Sequence, residues 1–372
     1  MSQKSFEKIS FWDPIIGTQE LKNIKKVLEM NWPNEGHFTN LLEKKIQILL
    51  RVKHAICVTS GTISIFLALK SLGIDQKNEV IVPDITFGAT AMAVKLTGAR
   101  LVIADINKSN LGFDLDNLKK KITKKTRAII PVHISGRAAD LKSIKEIIKQ
   151  KDIKIVEDAA EAFFSRSNNK YLGTIGDLGC FSLTASKTIT TGQGGIIVTN
   201  NTKLYKKIKL LKNQGILGRS DGGDVKHNTV GFNFKYTNLQ AAMGLAQISS
   251  IKERAKKLIK INKLYAKNLI NLKEITVIKF DYKKGEVPLW TDVIAHKQRD
   301  QLIYYLKKNG VECRKFWFPL HMQKPFKEPS NRFKISSSIY KKLFWLPSSM
   351  NLNEKKITHV CNLIKKFYRV NL

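Results

Sequence analysis

Between His54 and Ala159 the chain alternates short, continuously apolar runs with segments of helical period. The runs are HAICVT (His54 to Thr59), EVIVP (Glu79 to Pro83), RLVIADI (Arg100 to Ile106), RAIIPVHI (Arg127 to Ile134) and KIVEDA (Lys154 to Ala159). The helical segments between them are TISIFLALKSLG (Thr62 to Gly73), ATAMAVKLTG (Ala89 to Gly98) and DLKSIKEIIKQ (Asp140 to Gln150). A strand that is apolar on both sides is covered on both faces, and repeated strand–helix alternation implies parallel pairing. The chain is therefore expected to be α/β with a parallel-rich sheet. After Gly195 the pattern changes. A helix near Thr202 to Asn213 leads into a polar loop, GILGRSDGGDVKHN, and then into one long helix from Gln240 to Leu269. Beyond it, strands near Trp290 to Ala295 and Val311 to Phe316 and helices at Arg299 to Lys308 and Asn353 to Lys366 predict a smaller α+β unit. The 372 residues suit two such units, and the pattern divides them into residues 1–247 and 248–372.

One lysine stands out against this background. Roughly one residue in seven is Lys, yet Tyr171 to Thr202 contains only Lys187, between an apolar run at Cys180 to Leu183 and a Gly-rich turn at Gly192 to Gly195. A segment stripped of lysine in so lysine-rich a chain is expected to be buried. An amine kept inside needs a use, and the usual one is to carry a carbonyl cofactor covalently.

Other residues sit where such a sheet meets a ligand, beyond the C-terminal strand ends. Ser60, Gly61 and Thr62 follow the first strand and open a helix, a suitable cup for a phosphate but also an ordinary helix cap. Asp158 ends the KIVED strand. It can hold a pyridinium nitrogen protonated, or serve as a structural ion pair or cap. Phe87 follows VIVPDIT and can stack on a flat ring or join the core. Ser182, five residues before Lys187, can reach a phosphate if Lys187 holds the cofactor. No GxSxG turn, Walker A loop or GxGxxG after the first strand competes with this arrangement.

The net charge of +35 invites a nucleic-acid reading. Against it, lysine outnumbers arginine about five to one and is scattered along the chain, whereas base and bidentate phosphate readout favour Arg. A field of this sign suits anionic small substrates such as nucleotide diphosphates. Cys57, Cys180, Cys313 and Cys361 lie far apart with no metal spacing, so no metal is expected and a reducing compartment is. The N-terminal MSQKSFEKISFWDP has no apolar signal core and no run approaches membrane-spanning length, so the expected location is the cytoplasm.

The ordered motifs SGTISIFLALKSLGI, EVIVPDITFGATAMAVKLTGA, VEDAAEAFFS, GDLGCFSLTASKTITTGQGG and GFNFKYTNLQAAMGLAQ closely resemble the DegT-type nucleotide-sugar aminotransferases. The resemblance runs from about Thr18 to the C-terminal helix. It implies the aspartate-aminotransferase-like transferase fold (fold type I) with pyridoxal 5'-phosphate as cofactor and pyridoxamine phosphate as its amine-carrying form. EDAAEA with KTITTG is most similar to the perosamine-forming branch, which aminates C4 of a nucleotide-linked 4-keto-6-deoxyhexose with glutamate. Amination at C3, or of a UDP- or dTDP-sugar, is the alternative. A cofactor-binding regulator without turnover is a second one, disfavoured by having both Lys187 and Asp158.

Carried over by residue, the resemblance implies that Lys187 holds the cofactor, Asp158 pairs with its ring nitrogen and Phe87 stacks on it. Gly61, Thr62 and Ser182 would bind its phosphate, and Glu161 would lie near its 3-hydroxyl. Asn233 would reach the phosphate of a neighbouring subunit in a homodimer with shared sites. Trp32 and His321 would face the sugar. Three positions depart from the family pattern: Gln193 in TGQGG, Lys235 in place of an Arg, and PNEG after Trp32.

Overall fold

The computed structural model describes residues 8–217 and 225–370; part of the polar loop expected at 215–228 lies outside them. Among the described residues seven strands form the main sheet, in the spatial order His54–Val58, Gly195–Thr199, Leu178–Ser182, Lys154–Asp158, Thr126–Ile129, Glu79–Pro83, Arg100–Ala104. Pairing is parallel from Leu178–Ser182 across to Arg100–Ala104. Gly195–Thr199 alone runs antiparallel to both its neighbours. Its strand reverses direction because the short Lys187 loop joins it directly to Leu178–Ser182, without the helical crossover a parallel partner needs.

Helices cover both faces, as the unbroken apolar strands require. Helix Gly61–Ser71 packs Leu67 and Leu69 with Val82, Ala128 and Val156 on one side. Helices His37–Leu50 and Asn238–Ser249 close the other, packing Leu42, Ile46 and Ala241 with Phe181 and Ile196.

A second, antiparallel sheet has the order Ile275–Val277, Thr291–Ala295, Leu343–Leu346, Arg314–Lys315. It packs against helices Ile251–Leu269 and Glu354–Val370. Two details differ from the sequence-based expectation. The single helix Gln240 to Leu269 is two helices, parted at Ser250 (φ −99°, ψ 11°). There Ser249 and Ser250 hydroxyls donate to the carbonyls of Ala246 and Gln247, competing with the helical ladder. The smaller unit is also not confined to the C-terminal part. Ile9 bridges Val311, and Phe11 stacks on Trp290 at 4.8 Å. The two sheets share a core at Phe11, Ile85, Val132, Trp290 and Trp345, and the main cavity opens beside it.

Candidate active site

The Lys187 loop folds back on itself. Leu183 N–H donates to Gly194 O, Thr191 N–H donates to Leu183 O, and Lys187 N–H caps Thr184 O. Gly194 (φ 158°) must lack a side chain, since a Cβ there would lie 2.9 Å from the Tyr236 hydroxyl oxygen. The loop aims Lys187 into a cavity of about 420 Å³. Its side chain is 14% exposed, and Nζ donates to Glu161 Oε1 at 3.1 Å. Glu161 is itself held by Trp290 Nε1–H at 3.0 Å and Ser135 N–H at 2.9 Å.

Strand alternation separates the two carboxylates that end KIVED. Glu157 turns into the protein, where His133 and the amides of Gly173, Ile175 and Gly176 surround it. Asp158 turns to the cavity. It accepts from Thr90 O–H at 2.7 Å and Ala160 N–H at 3.1 Å, and makes no ion pair among the described residues. Burial pushes its carboxyl above the usual range, and the two hydrogen bonds and the Lys187 charge offset this only in part.

Ser60 caps helix Gly61–Ser71, its Oγ accepting from Ile63 N–H at 3.2 Å. Ser60, Gly61, Thr62, Ser182 and Thr184 line one end of the cavity. A Cβ on Gly61 would lie 2.9 Å from Ser182 Cβ, so glycine lets the helix start approach the strand end. Amides at a helix start beside hydroxyls favour an anion. Phe87 lines the mouth, 62% exposed, with its ring 6.4 Å from Trp317.

The structure thus brings together Gly61, Thr62, Phe87, Asp158, Glu161, Ser182 and Lys187. Three other expected residues lie elsewhere. Asn233 lines a separate shallow depression with Gln214, His227 and Asn228. Trp32 is 56% exposed outside the cavity, its Nε1–H donating to Glu35 O. His321 is corrected from a sugar contact to an interior residue. Its ring is fully buried, bonded to Asp84 Oδ2 at 2.6 Å and stacked on Phe333 at 4.4 Å, so it presents no surface to a ligand. Sequence reading missed Thr90, Trp290, Arg314, Trp317 and Trp345, which line the same cavity. Thr90 lies three residues past Phe87, in the first turn of helix Gly88–Leu96, whereas Trp290, Arg314, Trp317 and Trp345 carry no local signal because they reach the site from a distant part of the chain.

The chain is similar to known proteins along nearly its whole length. Residues 14–365 match the DegT/DnrJ/EryC1/StrS aminotransferase family. GDP-perosamine synthase of Vibrio cholerae is 33% identical over 372 residues, covering 97% of this chain and 99% of that one. The solved structure of Spr1654 from Streptococcus pneumoniae in its pyridoxal phosphate form superposes with a TM-score of 0.92 at 22% identity, covering 98% of this chain and 100% of that one. DesV from S. venezuelae superposes at 0.91 with 26% identity, covering 97% and 98%. The expected fold, a large α/β unit with a smaller α+β unit, is the one these relatives share.

The residues present fit pyridoxal phosphate. Lys187 offers an amine, the start of helix Gly61–Ser71 offers anion-binding amides, and Asp158 is a buried carboxylate lacking the cation that a protonated ring nitrogen would supply.

Proposed function

The chain belongs to the DegT/DnrJ/EryC1/StrS aminotransferase family and is a pyridoxal phosphate-dependent enzyme, and from that premise we propose that it transfers the amino group of glutamate to C4 of a nucleotide-diphosphate 4-keto-6-deoxyhexose. The observation that carries the reading is the pairing, in one cavity, of the Lys187 amine with the ion-pair-free carboxylate of Asp158. The choice of sugar rests on the likeness to GDP-perosamine synthase along nearly the whole chain.

Pyridoxal phosphate, when bound, supplies an aldehyde that joins to amines and a ring that accepts the electron pair left on the substrate carbon. In this reading Gly61, Thr62 and Ser182 hold the phosphate and Phe87 covers a face of the ring. Asp158 stays ionised and keeps the ring nitrogen protonated. Lys187 would hold the cofactor through its Nζ, which the donor amine would free. Its freed Nζ then takes the proton from the donor Cα, and in the second half-reaction it delivers a proton to C4 of the sugar. Glu161 accepts from Nζ and steadies the amine between these transfers. 2-Oxoglutarate leaves before the sugar enters, so donor and acceptor use one pocket in turn. Trp32 remains a proposed sugar contact, made from a neighbouring subunit.

We further propose a homodimer acting in the cytoplasm, with each site completed by Asn233 of the other chain. Two observations support this. Asn233 lies apart from the Lys187 cavity. Leu21, Leu28, Met30, Trp32 and Leu41 are exposed along the N-terminal helices and the turn between them, and Leu217 and Val230 are exposed near Asn233, an apolar surface of the kind that partners cover. The test is turnover of GDP-, UDP- and dTDP-linked 4-keto- and 3-keto-6-deoxyhexoses with glutamate, with the product identified by NMR. Amination of the GDP-4-keto sugar at C4 is the expected result. Turnover confined to a 3-keto sugar or to another nucleotide would overturn the substrate assignment, and no turnover with any would overturn the activity.

A further inference from the structure

Lys212 is the feature outside the cavity that most calls for an account. Its side chain is 2% exposed, although it closes a lysine-rich helix, Thr202–Lys212. Nζ donates to Glu35 Oε1 at 2.9 Å and to Cys57 O at 2.9 Å, with Glu43 Oε1 at 4.0 Å. A buried ammonium is held only where several acceptors converge on it. The second oxygen of Glu35 accepts from Tyr236 N–H at 3.2 Å.

One carboxylate therefore ties together the two ends of an excursion of the chain. The excursion runs from Lys212 to Tyr236, and Phe232 and Phe234 near its return pack against the core of the large unit. Its base is a short ladder: Phe232 N–H donates to Leu211 O, Phe234 N–H to Lys212 O, and Asn213 bridges Asn233. Asn233 sits on that ladder, three residues before the tied amide. Tyr236 is also fastened on its other side, where its buried hydroxyl donates to Thr191 in the Lys187 loop. Glu35 itself is 25% exposed and belongs to the PNEG segment after Trp32.

We infer that Glu35, acting through Lys212 and the Tyr236 amide, is a positioning residue that fixes Asn233 for the phosphate of the neighbouring subunit's cofactor. The inference rests on the proposed role of Asn233. A carboxylate that accepts from both ends of the excursion limits how its base can tilt, and a phosphate contact needs its donor placed to within a few tenths of an ångström.

The experiment is a double-mutant cycle on the full-length dimer with Glu35→Gln and Asn233→Ala. Holoenzyme is dialysed against falling pyridoxal 5'-phosphate, and the bound fraction is read from visible absorbance. Gln keeps the shape of Glu35 but can no longer accept from both partners as an anion. Each single variant should weaken cofactor affinity about tenfold, the scale of one hydrogen bond to a charged group. The double variant should bind no more weakly than the worse single variant, because Glu35 acts only through Asn233. Lys212→Met, which removes the cation while filling its space, should behave as Glu35→Gln does. Additive losses would overturn the inference, as would an unchanged affinity in Glu35→Gln, and so would dissociation of the dimer in either the Glu35 or the Lys212 variant. An unchanged affinity in Asn233→Ala would instead overturn the role of Asn233 on which the inference rests.

Discussion

Replacing Asp158 by Asn should separate the cost of this residue to the fold from its value to the site. In the protein without cofactor, Asp158 is buried, bonded to Thr90 and Ala160, and held above the usual carboxyl range mainly by desolvation. A carboxyl with a raised folded-state pKa contributes stability that is fully present below its unfolded pKa and is lost as pH rises through the folded pKa. At neutral pH the ionised group therefore burdens the apoprotein. Asn cannot ionise and escapes that burden, so the stability of Asp158→Asn relative to wild type should rise with pH. Each proton involved sets an upper slope of about 1.4 kcal/mol per pH unit. Part of the gain is offset, because the Asn amide cannot accept from both Thr90 O–H and Ala160 N–H. With cofactor bound the order should reverse. The variant lacks the anion opposite the ring nitrogen and should bind pyridoxal phosphate about 10- to 100-fold more weakly, as loss of about 1.5–3 kcal/mol implies. Turnover should fall by about 10²–10⁴, since the charge acts most strongly when electrons move into the ring. Thermal melts of apo and holo forms between about pH 4 and pH 8, with a cofactor titration, read all three effects. A variant whose apo form is less stable than wild type by a constant amount across that range would refute the burial argument. Near-normal turnover would refute the role at the ring nitrogen.

Three further outcomes are expected. Borohydride should fix the cofactor on the peptide containing Lys187, while Lys187→Ala should retain bound cofactor through its phosphate and ring contacts yet lose transamination; label on any other lysine contradicts the assignment. Asn233→Asp and Lys187→Ala should each be inactive, yet refolding them together should restore roughly a quarter of wild-type activity, since random pairing leaves one intact site in each mixed dimer; no recovery despite mixed dimers places Asn233 outside the neighbour's site. His321→Ala should lower stability by about 2–4 kcal/mol, because it opens a cavity against Phe333 and strips Asp84 of a partner. It should not act selectively on the KM for the sugar, and steady-state kinetics beside thermal melts distinguish the two.

Much of the frame could be read locally. Apolar runs mark the buried strands, and strand ends mark where Ser60, Asp158 and Lys187 come together on one cavity, because side-chain period and loop position are properties of a few consecutive residues. The isolation of Lys187 was legible because burial excludes charge from the segments around it. The same logic could not find Lys212, which is buried at the end of a helix whose other lysines are all exposed. Nor could it distinguish Glu157 from Asp158, adjacent carboxylates of which the pleat sends one to structural amides and the other to the cavity. His321 looked available for a substrate until the packing of Asp84 and Phe333 enclosed it. The break at Ser250 depends on which hydroxyls find a carbonyl.

The sequence by itself determined the alternating α/β architecture, the strand ends that carry the proposed cofactor residues, and the lysine proposed to hold the cofactor. Each is written in patterns a few residues long. Tertiary structure alone decided what surrounds them: Trp290 on Glu161, Thr90 on Asp158, and Glu35 on Lys212 and Tyr236. These partners lie from 68 to 201 residues apart. Such contacts exist only once both sheets have packed, because no local periodicity encodes which distant side chain will fill a given space or satisfy a given buried charge.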